Sequence, residues 1–433
     1  MKRLFYLAAI LITLWSCSNN AKNTLAINES YIQVDCMEKL DEVVVYDIYS
    51  PPVASRIYAY SNLAFFEAIK YTEKNAPSIT QKMPLFDSMP KPATTNINFT
   101  ISAITAFFNT AKGLCFSKDS LVKKLDYYLA YYKDNIDEKI FKQSVDFGNS
   151  IATTILTRAA KDNYKYIKGL PKYTVVKEKN TWEQTPPDYM DAVEPNWFLL
   201  KPMLIDSTMY TCAAPPAYNE NKSSQYYKEV LEVYETSKAK TLAMDSIAKY
   251  WDDNPFVTEH KGHFMAATKK ITPVGHWLGI TGIICKAAKA NVLATAKAYA
   301  LSSCAMYDGF IACWFQKYKT KMPRPITIIR KWFDANWNAY LQTPPFPEYT
   351  SGHSVISNAS ATVLSNLFGN TISFIDTTEN KYLGLQRSFT TITSAADEAG
   401  ISRLYGGIHF KSAIENGKQQ GKTIGEFYYT TFK

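Results

Sequence analysis

Three short stretches carry side chains that could do chemistry together. "KYKTKMPRPI" sets Lys317 before Arg324-Pro325 with six residues between. "FPEYTSGHSVISNA" sets Ser351-Gly352-His353 at the mouth of a helical run, and "SRLYGGIHF" joins Arg403 to His409. The chain has only five histidines, so two of them in such company are informative. Lys317, Arg324 and Arg403 supply three positive charges, and each arginine fork can grip an oxyanion with two bonds. Ser351 is a natural N-cap for a helix beginning near Ser354, and Gly352 lets a ligand approach the backbone closely. A helix N-terminus presents free N–H groups and a partial positive charge, which favours an anion. The two imidazoles can move protons, attack as nucleophiles or ligate a metal. The set suits a small tetrahedral oxyanion. It does not suit a bare divalent cation, which wants carboxylates or several histidines.

In this order, Lys-x6-Arg-Pro, Ser-Gly-His and Ser-Arg-x5-His resemble the signature of the type 2 phosphatidic-acid phosphatase and vanadium-dependent haloperoxidase superfamily. The similarity extends to "SPPVASRIYAYSNLAFFEA", "WDDNP" and "TPVGHW". The resemblance implies a haloperoxidase/acid-phosphatase-like helical bundle. In its haloperoxidase branch, the preferred reading, vanadate is the cofactor and hydrogen peroxide and halide are the substrates. His409 would then be the vanadium ligand and His353 the acid–base group, with Lys317, Arg324, Ser351, Gly352 and Arg403 binding the oxyanion. Phosphate could occupy the same place. In the phosphatase branch His409 would attack phosphorus and His353 would protonate the leaving oxygen of a phosphomonoester or lipid phosphate. The resemblance also pairs Asp253, in "YWDDNPF", with Arg403, and sets Phe346 beside the anion as an apolar wall. His276 is expected at the entrance, without a catalytic role.

One position departs from the pattern. The phosphatase motif continues His-x3-Asp, and here that position is Ala413. Glu415, six residues past His409, falls about 240° round a helix and cannot stand in. The His409 ring would need another partner, such as a backbone carbonyl.

These residues need a frame, and its periodicity is helical. Tyr58–Tyr71 carries Ala59, Leu63, Phe66 and Ile69 as one stripe. Leu121, Leu125, Tyr128, Leu129 and Tyr132 form another, and Ile140, Phe141, Val145, Ile151 and Ile155 a third. Further helices are expected over 225–236, 241–251, 287–318, 355–368, 390–404 and 410–428. The fold class is mostly α with long irregular connections at 163–221 and 330–350. An irregular stretch of the first length usually wraps a domain or shapes a site. The expected organisation is a signal over 1–17, a helical half over 18–240, and a second half over 241–433 carrying the site within one domain.

"MKRLFYLAAILITLWSC" has a basic start and a short apolar run, followed by a box that resembles a bacterial lipoprotein signal with Cys17 lipidated. Export, a lipid anchor facing the periplasm and no other membrane contact are the expectations. The remaining six cysteines show no framework spacing, so no dense disulfide scaffold is expected. A formal charge of +9 over 433 residues is modest and dispersed, which argues against nucleic acid as a partner. "EHKGH" (His260, His263) is a weak metal pattern. A non-enzymatic reading, an aromatic-rich glycan-binding lipoprotein of the outer membrane, ranks third because it needs none of the cationic trio.

Overall fold

The computed structural model describes residues 27–433 except positions 177, 179, 256, 262, 263 and 268, so the expected signal, Cys17 and His263 lie outside the described residues. The protein is 61% helical. The first half contains α1 (Ile32–Tyr46), α2 (Pro51–Ile69), α3 (Phe99–Leu114), α4 (Asp119–Lys133), α5 (Glu138–Ala160), α6 (Tyr164–Lys168) and α7 (Gln225–Lys238). The second half begins with α8 (Leu242–Tyr250), the antiparallel hairpin β1 (Thr258–Lys261) and β2 (Phe264–Ala267), α9 (Pro273–Ala287), α10 (Val292–Thr320) and α11 (Pro325–Trp332). It ends with α12 (Gly352–Phe368), the antiparallel pair β3 (Phe374–Asp376) and β4 (Arg387–Phe389) enclosing α13 (Asn380–Leu383), α14 (Ile392–Tyr405) and α15 (Lys411–Phe432).

Local sequence explains where the elements start, and corrects three expectations. Helix α2 starts at Pro51, well before the expected stripe: Ser50 caps it, and the two prolines fill first-turn positions that need no N–H. Every residue of α2 is buried, so the stripe is part of a helix that is enclosed all round. The helix expected over 287–318 is α10 and begins later, because Ala287 ends α9, a helix not expected from the sequence, and Asn291 caps the new start by accepting the Ala294 N–H at 2.8 Å. Pro325 opens α11, so 330–332, expected to be irregular, is helical.

One apolar core runs from Ile32 in α1 to Phe432 in α15 and takes in residues of both halves. Helix α10 packs on α2, α12 and α15, and α12 lies along α15. The 163–221 stretch wraps α10 and is tied to it by Asp308. That buried carboxylate accepts the N–H groups of Met203 (2.7 Å), Leu204 (2.9 Å) and Ile205 (3.1 Å), and the Tyr428 hydroxyl at 2.7 Å. An irregular path needs such acceptors, having no ladder of its own. Cys36, Cys115, Cys212, Cys285, Cys304 and Cys313 are free. Among the described residues no helix is long and apolar enough to cross a membrane.

Candidate active site

Lys317 reaches the site from the last turn of α10. Its Nζ donates to the carbonyls of Pro347 (3.0 Å), Glu348 (2.9 Å) and Thr350 (2.6 Å), three acceptors that match the three hydrogens of an ammonium. Burial opposes that charge and pulls Lys317 down to about 7. Lys317 therefore holds the loop before α12 and acts on the site through its charge; its donors are engaged by the loop.

Arg324, at the N-cap of α11, donates from Nε to the Phe346 carbonyl at 2.8 Å and from Nη1 to the Ile408 carbonyl at 2.9 Å. Nη1 also lies 3.2 Å from His409 Nε2, and Nη2 is buried without a partner. Ser351 caps α12: its Oγ accepts the Ser354 N–H (3.3 Å) and hydroxyl (3.0 Å), which leaves its own hydrogen to donate. The N–H groups of Gly352 and His353 lie in the first turn, where a helix offers no internal acceptor. A Cβ built on Gly352 would meet only Trp314 Cζ3, at 4.0 Å, so the space before this turn is open.

Helix α14 gives Arg403 and then stops at Gly406-Gly407, with Gly407 at φ 74°. The Ile408 N–H returns to the Arg403 carbonyl at 3.1 Å, which brings His409 back beside Arg324. His409 Nδ1 is 2.8 Å from Glu348 Oε1, and the Phe410 N–H donates to the same oxygen at 2.9 Å. Arginine can only donate, so Nε2 accepts from Arg324 and the ring proton sits on Nδ1, where it donates to Glu348. Burial, then Arg324, Lys317 and Arg403, hold His409 well below the usual imidazole range, while burial lifts Glu348 to about 7. The result is a neutral ring with its Nε2 lone pair turned to the arginines, the form that ligates a metal. Glu348, not a backbone carbonyl, makes good the carboxylate absent at Ala413. It lies five residues before His353, within the quoted stretch, and went unread because its partner is 61 residues away.

Asp253 is not Arg403's hydrogen-bonded partner. Arg403 donates instead to Ser402 Oγ (2.9 Å), to the Asp252 carbonyl (3.4 Å) and to the Trp251 carbonyl. The Asp253 carboxylate is taken by His276, whose Nδ1 lies 3.0 and 3.2 Å from its two oxygens, and Oδ2 stands 3.6 Å from His353 Nε2. Arg403 senses Asp253 only through space. His276 is not at an entrance; it is fully buried and stacked on Trp251 at 4.5 Å. His353 retains 15% side-chain exposure while Lys317 and Arg324 have none, so solvent reaches this group of residues at His353. Desolvation, then Arg403, lower its pKa to about 4. Phe346 packs on Trp314 at 4.9 Å and lies 5.0 Å from both Lys317 Nζ and Arg324 Cζ. Trp314 was missed, although its place three residues before Lys317 puts it on the same face of α10.

A solved structure, that of a bacterial vanadium-dependent iodoperoxidase, is 39% identical and aligns over 94% of this chain and 97% of its own, with a TM-score of 0.88. The chain belongs to the vanadium-dependent haloperoxidase family. Residues 297–433 of this haloperoxidase match the profile of the VCPO second helical-bundle domain. A holo-type bacterial vanadium-dependent chloroperoxidase shares the fold at 17% identity and a TM-score of 0.71, over 93% of this chain and 97% of that one. No curated protein sequence matches. The enzyme acts on halide with hydrogen peroxide, and vanadate is the cofactor. The site fits that group: Arg324 keeps an unpartnered Nη2, the space at Gly352 is open, and His409 beside Arg324 keeps its Nε2 unprotonated.

Proposed function

We propose that this haloperoxidase oxidises iodide, with His353 and His409 as its catalytic histidines. The observation that carries the iodide reading is the 39% identity to an iodoperoxidase over nearly the whole chain. When bound, vanadate supplies an electrophilic centre that activates hydrogen peroxide toward halide. The chain does the rest. His409 would hold the metal through Nε2, with Glu348 fixing its tautomer. Arg324, Arg403, the Ser351 hydroxyl and the Gly352 N–H meet the oxyanion's charge, and Lys317 adds to the field. His353 takes up and returns a proton at its imidazole, on the solvent-reached side where peroxide and halide arrive. Trp314 and Phe346 give a soft, polarisable anion an apolar wall and keep water from that side.

Apo-protein reconstituted separately with vanadate and with phosphate, then assayed with peroxide and iodide, bromide or chloride, tests the reading. Iodide turnover only in the vanadate arm is expected. Phenyl phosphate hydrolysis without halide oxidation would overturn it. His353→Ala should lower turnover about 10²–10⁴-fold while vanadate still binds; an unchanged rate would remove His353 from the chemistry.

A further inference from the structure

His276 touches none of the anion-binding side chains, yet it sits at the centre of a buried charged cluster beside the site. Its Nδ1 faces Asp253, its Nε2 lies 2.8 Å from Asp376 Oδ2, and Glu379 Oε1 stands 3.8 Å from Nδ1. His276, Asp253, Asp376 and Glu379 are each at most 3% exposed. Buried carboxylates must be paired. A ring with a carboxylate on each nitrogen is satisfied by a proton on both, which makes His276 an imidazolium. Burial alone would lower His276, but Asp253 and Asp376 outweigh it and hold the ring well above its usual range. The same pairing keeps Asp253 ionised, and burial lifts Glu379 to about 8.

Asp253 is the junction. Its backbone has a left-handed φ of 41°, and the two carbonyls before it are held by Arg403. Its Oδ2 lies 3.6 Å from His353 Nε2. We infer that His276 is a positioning residue for the peroxidase reaction: it clamps the Asp253 carboxylate so that Asp253 orients the His353 imidazole toward the bound oxyanion. The inference rests on His353 being the acid–base group. The groups facing His353 are Asp253, Arg403 and, through Asp253, His276 itself.

The two ring nitrogens of His276 can be imitated separately. The amide of asparagine falls near Nδ1 and can still donate to Asp253. That of glutamine reaches toward Nε2 and serves Asp376 instead. In vanadate-loaded protein, His276→Gln should lower kcat about 10–100-fold with little change in the iodide KM. His276→Asn should recover much of that loss. Asp253→Asn combined with His276→Gln should be no worse than the poorer single variant, because both act along one line. Vanadate affinity, titrated calorimetrically on apo-protein, should stay within about threefold, because neither residue is assigned to the cradle; loss through the ligand shell would be tenfold or more. With five histidines in the chain, the His353 ring can be followed by nitrogen NMR in the phosphate-loaded protein. It should show one fixed tautomer in the wild type and exchange between tautomers in His276→Gln.

Additive losses, asparagine no better than glutamine, vanadate affinity falling in step with turnover, or an unchanged His353 spectrum would overturn the inference. So would a stoichiometric divalent cation found by elemental analysis, since Asp253, His276 and Glu379 could also converge on one. Should His276→Gln not fold, His276→Asn and Asp253→Asn still report the coupling. If wild-type protein loaded with vanadate oxidises no halide, the functional reading has failed instead.

Discussion

At the scale of single residues, the site is organised around which nitrogen of His409 carries the proton. Glu348 and Arg324 answer together, one accepting from Nδ1 and the other donating to Nε2. Glu348→Ala should therefore weaken vanadate binding about 10–100-fold, with glutamine milder because its amide oxygen can still accept; calorimetric titration showing wild-type affinity for the alanine variant would refute this. The cationic trio and both histidines were legible because charge and spacing stay visible in a linear string. Glu348 and the true partner of Asp253 were not, since each is fixed by a contact between distant segments. A second consequence is a pH dependence of anion binding. Sulfate is a dianion throughout the range and isolates the protein's own titration. A bound anion favours protonated His353 and Lys317, whose free-state values are about 4 and 7. Sulfate affinity should fall as pH rises above about 4 and fall more steeply above about 7, where Lys317 loses its charge and Glu348, at about 7, gains one. Arg324 and Arg403, each at about 10, stay charged throughout. A flat affinity from pH 5 to 9 would show that neither group is coupled to the anion.

At the scale of elements, the distance between the start of α12 and His409 is set by how closely α12 and α15 lie. Gly417, Gly421 and Gly425 make that approach possible at i, i+4 and i+8 on α15. A Cβ at Gly421 would stand 2.2 Å from the Val355 carbonyl oxygen and 3.0 Å from the Ala359 nitrogen, and one at Gly425 2.7 Å from the Ala359 carbonyl oxygen. These are backbone atoms and cannot swing aside. Gly421→Ala should cost about 1–3 kcal/mol in denaturant unfolding, and it should lower vanadate affinity because α12 must move away from α15. Loss of stability without any loss of affinity would mean that the helix N-terminus is not tied to this packing. The spacing "GKQQGKTIG" was open to reading in the sequence as a close-packing face. Helix existence was readable from periodicity, whereas the α9–α10 break depended on the Asn291 cap, and the α11 start on Pro325.

At the scale of the whole molecule, the long irregular stretch and the first half reach the site without contributing a catalytic group. The Val193 carbonyl accepts from Trp314 Nε1 at 3.2 Å, the Val193 N–H meets the Pro345 carbonyl at 3.0 Å, and the Trp182 N–H meets the Lys321 carbonyl at 2.6 Å. This stretch thus braces both the aromatic wall and the loop that Lys317 holds. Its anchor is Asp308, in the middle of α10, which satisfies three successive backbone donors and a buried tyrosine hydroxyl. Asp308→Ala would leave those donors buried and unpaired, at about 1–3 kcal/mol each before relaxation, so a loss of at least about 3 kcal/mol is expected in denaturant unfolding. A ligand that binds only the folded state offsets such a loss, by about 2.7 kcal/mol at a hundredfold excess over its Kd. Vanadate should therefore raise the variant's melting temperature, provided that the brace loosens without dismantling the cradle. If the variant unfolds as reluctantly as wild type, the wrapping stretch is held by something other than Asp308. If vanadate gives it no protection while still protecting the wild type, the first half shapes the anion site itself and does more than support it.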